Sequence, residues 1–263
     1  MNNEPAYYVI LSRSDQFDLT GLADLLSRSL CTPRFDVITH LKHSWGLLHK
    51  AHMIAKAEEL QQKLAQAGIE TFILSATELK TVPHPMVLKK AIPEPGGLVF
   101  QEEGQNKFLA WNDITLLCAG EVEETIQMKE TLPSDGKAMK WMARTGLSVT
   151  TAVAIAYERS KKREVTKERT DSSYYLDLIA KGGLKSVRIL GNSFDYSYLG
   201  GRMGYNALIN FKNLALDIAK FLPNVTKNHG MRAMENKTVM RNLKYGGLKN
   251  FENEKLWLMQ LNP

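Results

Sequence analysis

Residues 107–122 read KFLAWNDITLLCAGEV, an apolar run broken once by Trp111, Asn112 and Asp113 and trailing off through Ala119, Gly120 and Glu121. The fold turns on how this stretch is read. Alternation over 114–119 sets Ile114, Leu116 and Cys118 on one face of a strand and Thr115, Leu117 and Ala119 on the other. Apolar side chains on both sides predict a strand covered on both faces. Such a strand is framework. The short polar pair suits a turn at its entry, where the Asp113 carboxylate serves nearby backbone N–H groups better than it would serve as a general acid or base.

Downstream, YYLDLIA at 174–180 and KSVRILG at 185–191 flank Lys-Gly-Gly-Leu. Symmetric pairing across that loop sets Asp177 opposite Arg188, Leu178 opposite Val187 and Leu176 opposite Ile189. The ion pair and the apolar pairs agree on one hairpin register. FDYSYL at 194–199 reads as a further strand, and Leu208, Phe211, Leu214, Ala215, Ile218 and Phe221 form the stripe of a helix over 206–222 that Pro223 ends. Upstream, MVLKKAI, GLVFQE and KFLAW from residue 86 read as short strands of a meander, with Gly104 supplying the turn in EEGQN. Seven strands, a long insertion at 121–173 and a closing helix resemble, in element order alone, a pleckstrin-homology-like barrel over 84–222. The resemblance implies an architecture and no activity. Within the insertion, an acidic EVEE stretch breaks the strand pattern and a helix begins near Lys137. A tail over 223–263 ends in FENEKLWLMQL, a helix capped by Asn250 that docks Trp257.

Residues 1–83 have a different texture. YYVILS at 7–12 reads as a strand; Asp18 or Thr20 caps a helix carrying Leu22, Leu25, Leu26 and Leu30; FDVITHL at 35–41 reads as a second strand, followed by a short one at 46–50. Met53, Ala57, Leu60, Leu64 and Ala67 share a helix face that Gly68 stops, and IETFIL is the next strand. The order βαββαβ predicts a ferredoxin-like α+β module, joined to the rest through TVPHP at 81–85.

The chain has 263 residues, two cysteines and a formal net charge of +6. Cys31 and Cys118 lie far apart without a CxxC pair, so neither a disulfide framework nor a thiolate zinc site is indicated, and a cytoplasmic setting is the expectation. MNNEPAYYVILSRSDQ lacks the pattern of a secretory signal, and TGLSVTTAVAIAY at 145–157 is too short to span a bilayer, so no transmembrane segment is expected. Charge is uneven. Ten basic side chains meet nine acidic ones over 1–92, two meet nine over 93–135, and twenty-two meet ten over 136–263. The carboxy-terminal half is the part that attracts an acidic protein surface, nucleic acid or anionic lipid.

Three groups of residues could carry chemistry. His40, His43, His49 and His52 are the right ligand type for a transition metal, but residues three apart on a strand point to opposite faces, and the helical pair shares its face with Lys56, Glu59 and Lys63. No metal is expected. The segment LGGRMGYN at 199–206 precedes a helix, and Arg202 makes it a candidate anion site, although it matches neither GxGxxG nor the Walker spacing. The basic run Lys161, Lys162, Arg163, Lys167 and Arg169 is a candidate for binding a partner or an anionic surface, diluted by Glu158, Glu164 and Glu168. GxSxG and HExxH are absent, and no cofactor is indicated. The expectation is a non-enzymatic binding protein: a scaffold, adaptor or accessory subunit that meets a protein partner through its basic carboxy-terminal half. A nucleic-acid- or ribosome-associated factor is the alternative, and a metal protein or enzyme the third reading.

Overall fold

The computed structural model describes residues 5–102, 104–131, 164–183, 186–238 and 244–261, with side chains described outside 124–131 and 164–171. Residues 1–123 and 172–263 form one compact unit and residues 124–171 a second. The architecture is mixed α+β, and both hydrophobic cores described below belong to the first unit.

The chain opens with β1 (Tyr7–Leu11), α1 (Leu19–Leu30), α2 (Arg34–Ser44), β2 (Leu47–Ala51), α3 (Ile54–Gln66) and β3 (Thr71–Ser75). The Asp18 carboxylate caps α1 by accepting from the N–H groups of Thr20 and Gly21, satisfying donors that have no intrahelical partner. The three strands form an antiparallel sheet in the order β2-β1-β3, with α3 packed across it.

One expectation fails here. FDVITHL is helical, lying within α2, so the order is βααβαβ and not the ferredoxin-like βαββαβ. Pro33 stands at the N-cap of α2, where its missing N–H costs nothing, and Val37 and Leu41 bury one helical face four residues apart.

The chain continues with β4 (Met86–Leu88), β5 (Ala91–Glu94), β6 (Gly97–Glu102), β7 (Gln105–Ala110), β8 (Ile114–Thr131), β9 (Glu164–Ala180) and β10 (Ser186–Leu190), of which β8 up to residue 123 and β9 from residue 172 belong to the first unit. These are followed by α4 (Ala207–Phe221), β11 (Thr226–Lys227), α5 (His229–Glu235), β12 (Lys244–Tyr245) and α6 (Leu248–Leu261). A six-stranded sheet runs β11-β8-β9-β10-β4, with β12 also on β8, and a separate antiparallel meander runs β5-β6-β7. The hairpin register is as the sequence indicates: Asp177 faces Arg188, Leu178 faces Val187 and Leu176 faces Ile189.

The barrel expected over 84–222 is not what these strands build. Among the described residues no sheet closes. MVLKKAI is divided, β4 joining β10 in parallel and β5 opening the meander. FDYSYL forms an isolated bridge at Asp195 and then a 3-10 turn, because the Asp195 side chain accepts from Ser197 N–H and the Tyr196 hydroxyl donates to the Gly191 carbonyl. The strand pattern also does not break at residue 121, since β8 runs on to Thr131 and β9 starts at Glu164. The helix expected from Lys137 lies outside the described residues.

The six-stranded sheet is a wall between two cores. Leu117, Ala119, Leu176, Leu178, Val187 and Ile189 face the first, which α4, α5 and the meander complete. Leu116, Cys118, Val122, Tyr175 and Ile179 face the second, which is filled by the three-stranded sheet, α1 to α3, and Phe251, Trp257 and Leu258 of α6. The carboxy-terminal helix thus closes the core of the amino-terminal sheet. The Trp257 indole N–H donates to the Leu11 carbonyl at 2.9 Å. No described helix is long and apolar enough to cross a membrane.

Candidate functional site

Two buried polar clusters tie α6 to the wall. The first extends the hairpin ion pair. Arg188 grips the Asp177 carboxylate with two parallel bonds of 2.7 and 2.6 Å, and Lys255 reaches the same carboxylate at 2.6 Å. Glu252 pairs with both cations, at 2.5 Å from Lys255. Two positive and two negative groups therefore neutralise one another, and the guanidinium also lies over the Tyr175 ring at 4.9 Å. Burial opposes the Arg188 charge, yet Asp177 and then Glu252 raise its pKa. Cys118 is buried nearby, and desolvation pushes its thiol pKa well up, which makes it an inert core residue.

The second cluster centres on Asn228, which stands where β11 hands over to β12 along the edge of β8. Its carboxamide accepts from Ala119 N–H and Met231 N–H and donates to the Ala119 carbonyl and the Tyr245 hydroxyl, at 2.8 to 3.0 Å. All four hydrogen-bonding positions are used. The side chain supplies the sheet rung that the backbone leaves out between the two short strands, and it caps α5. Gly230 permits the approach, since a Cβ there would fall 2.0 Å from the Ala119 carbonyl oxygen. The Tyr245 hydroxyl donates to Glu254 at 2.5 Å, and Glu254 also accepts from the His229 backbone N–H at 2.7 Å. Burial raises the Glu254 pKa to about 7, against the hydrogen bonds from Tyr245 and His229 that favour its charged form.

Above this second cluster opens a cleft of about 400 Å³. Phe17 and Leu19 line it from the start of α1, Leu41, Lys42 and His43 from α2, Trp45 from the α2–β2 turn, and Tyr245 and Asn250 from the far side. Its aromatic groups touch in sequence, Phe17 to Trp45 at 5.3 Å between centroids and Trp45 to Tyr245 at 5.9 Å, and behind them Trp45 meets His229 at 5.8 Å. Trp45 has φ 54° and ψ −126°, a conformation few non-glycine residues adopt. It is held there because its N–H closes the last turn of α2 on Leu41 and its indole N–H donates to the Asn250 carbonyl at 3.1 Å. Backbone strain kept in place by surrounding contacts is a mark of functional sites. Next to it, Gly46 has no side chain because the Trp257 indole occupies that space.

A larger hollow of about 510 Å³ lies over His49, Lys50, His52 and Lys56. Three of its charges engage one another: Glu59 bonds to Lys56 at 2.8 Å and to Lys63 at 2.9 Å, which lowers the Glu59 pKa to about 2. An apolar floor braced from beneath makes the smaller cleft the better candidate.

The residues singled out in the sequence fall elsewhere. Lys161, Lys162 and Arg163 lie outside the described residues, and Lys167 and Arg169 fall in the part of β9 whose side chains are not described. Arg202 is committed to an ion pair, with bonds of 3.0 and 2.7 Å to Asp217. The four histidines do not converge. His40 bonds to the Leu48 carbonyl at the open edge of β2, His43 to Asn250 at 2.7 Å, and His49 is half-buried in the wall of the larger hollow. No group of metal-ligating side chains is found among the described residues. Among the candidates whose side chains are described, only His43 lines the cleft. Trp45 and Gly46, in KHSWG, were the available local signal; the contribution of Tyr245 and Asn250 from two hundred residues away had none. Comparison with family models, with curated proteins and with solved structures finds no match for the chain.

Proposed function

We propose that the protein acts by binding, as a scaffold or accessory subunit whose aromatic cleft receives an apolar group from a partner. The observation that carries this reading is the cleft itself: an apolar opening of about 400 Å³ whose key wall residue, Trp45, is fixed in a strained backbone conformation by contacts from α2 and α6. Preorganisation of that kind lowers the entropy lost on binding. Nucleic acid, the alternative raised by the sequence, is recognised through rows of cations and open aromatic faces. Here Trp45 packs tilted against Phe17 at 36° and against Tyr245 at 45°, and a row of cations does not line the cleft.

The test is titration with anilinonaphthalene sulfonate, an aromatic probe that gains fluorescence in apolar sites. It should show saturable binding that Trp45→Ala weakens about tenfold or more, as expected on losing an anchoring aromatic worth at least ~1.4 kcal/mol. Thr39→Trp, which fills the mouth from an exposed position, should abolish binding without lowering the melting temperature. Unchanged binding in both variants would overturn the proposal.

A further inference from the structure

Resting on that reading, we infer that the occupant of the cleft is an acidic amphipathic peptide segment, one apolar side chain packing against Trp45 and a flanking carboxylate meeting Lys42. Charge on the lining is one-sided. Lys42, His43 and Lys244 line the cleft together with apolar and neutral polar groups, and no carboxylate lines it. Lys244 is already matched, at 2.8 Å from Glu123 and 3.8 Å from Glu121. His43 Nδ1 is hydrogen-bonded to the Asn250 carboxamide oxygen at 2.7 Å. Lys42 is exposed and has no ion-pair partner among the described residues. It is the one lining cation left to meet a carboxylate. A partner with acidic residues beside an apolar anchor complements both halves of the surface, and mismatched charge would be repelled. One unpaired cation cannot track a phosphate backbone, which argues for peptide over nucleic acid.

Lys42 also lies in the last turn of α2, where a cation offsets the helix dipole. The experiment separates the two roles. Fluorescence anisotropy would compare, on the full chain, a fluorescein-labelled peptide carrying one central leucine flanked by glutamates, the same peptide with lysines in place of the glutamates, and a labelled oligothymidylate. The glutamate peptide should bind about tenfold more tightly than the lysine peptide, and Lys42→Glu should remove or reverse that preference. A purely structural Lys42 would change the melting temperature and leave the preference intact. Equal affinity for the two peptides, tighter binding of the oligothymidylate, or binding of the fluorescent probe with neither peptide bound would each overturn the inference while leaving the cleft as a binding site. Failure of the probe itself would remove the premise.

Discussion

A carboxylic acid as deeply buried as Glu254 is most stable without its charge, and the Glu254 pKa of about 7 against an ordinary 4.5 makes the fold sensitive to pH. The folded state binds the proton more tightly than the unfolded chain. The stabilisation is therefore complete below about pH 4.5 and is lost as pH rises through 7, a difference of about 3 kcal/mol across the window. Glu254→Gln removes the titration. Its urea midpoint should change less between pH 5 and pH 8 than that of the natural chain, and an identical slope would assign the pH dependence to another group. Little at this scale was readable beforehand. Asp177 and Arg188 could be paired because hairpin symmetry brings them together, but Lys255 lies 78 residues beyond Asp177 and looks in sequence like any helical lysine. Asn228 and Glu254 were equally silent, since a polar residue shows no periodicity of its own when it is buried to complete a network.

At the level of elements, the errors share a cause. FDVITHL is short, apolar and rich in β-branched residues, and a run of that length suits a strand or one buried helical face equally well. What settled it was the α1 to α2 contact and Leu41 reaching the second core, both tertiary. FDYSYL alternates because Phe194 and Tyr196 are both buried, but the Asp195 and Tyr196 side chains capture backbone groups that a strand would need. The short strands β1, β2, β3, β6 and β7 are where the sequence reads them, and the long or doubly constrained patterns also hold: α1 with its cap, α3, α4 and the β9–β10 hairpin. Gly46 shows how closely the turn after α2 is packed against α6. A methyl group there would sit 1.9 Å from the Trp257 ring, a contact only a shift of the whole indole could relieve. Gly46→Ala should therefore cost about 3 kcal/mol by urea denaturation, the upper range for overpacking, and should disturb the cleft through Trp45. A cost under about 0.5 kcal/mol would mean that α6 can move away from the turn without penalty.

The whole molecule follows from the double-faced burial already visible in residues 107–122. Because the six-stranded sheet serves both cores, neither can lose its packing without exposing the back of the other. The sequence showed that this strand was covered on both sides but not by what, since each covering layer joins segments far apart in the chain: residues 7–75 with 248–261 on one face, and 88–111 with 194–234 on the other. This organisation predicts one cooperative transition for the two cores. Trp111, whose indole N–H donates to the Glu94 carbonyl, reports on the first core, and Trp257 reports on the second. Biosynthetic labelling with fluorotryptophan lets fluorine NMR follow both in one urea titration without altering the packing of either. Their midpoints should coincide in the natural chain. Leu117→Ala opens a cavity in the first core and Leu116→Ala one in the second; each should destabilise by about 3 kcal/mol and shift both signals together. If Leu117→Ala moved the Trp111 signal and left Trp257 in place, the sheet would be acting as a partition between two separately folding halves, and the shared-wall account would be wrong.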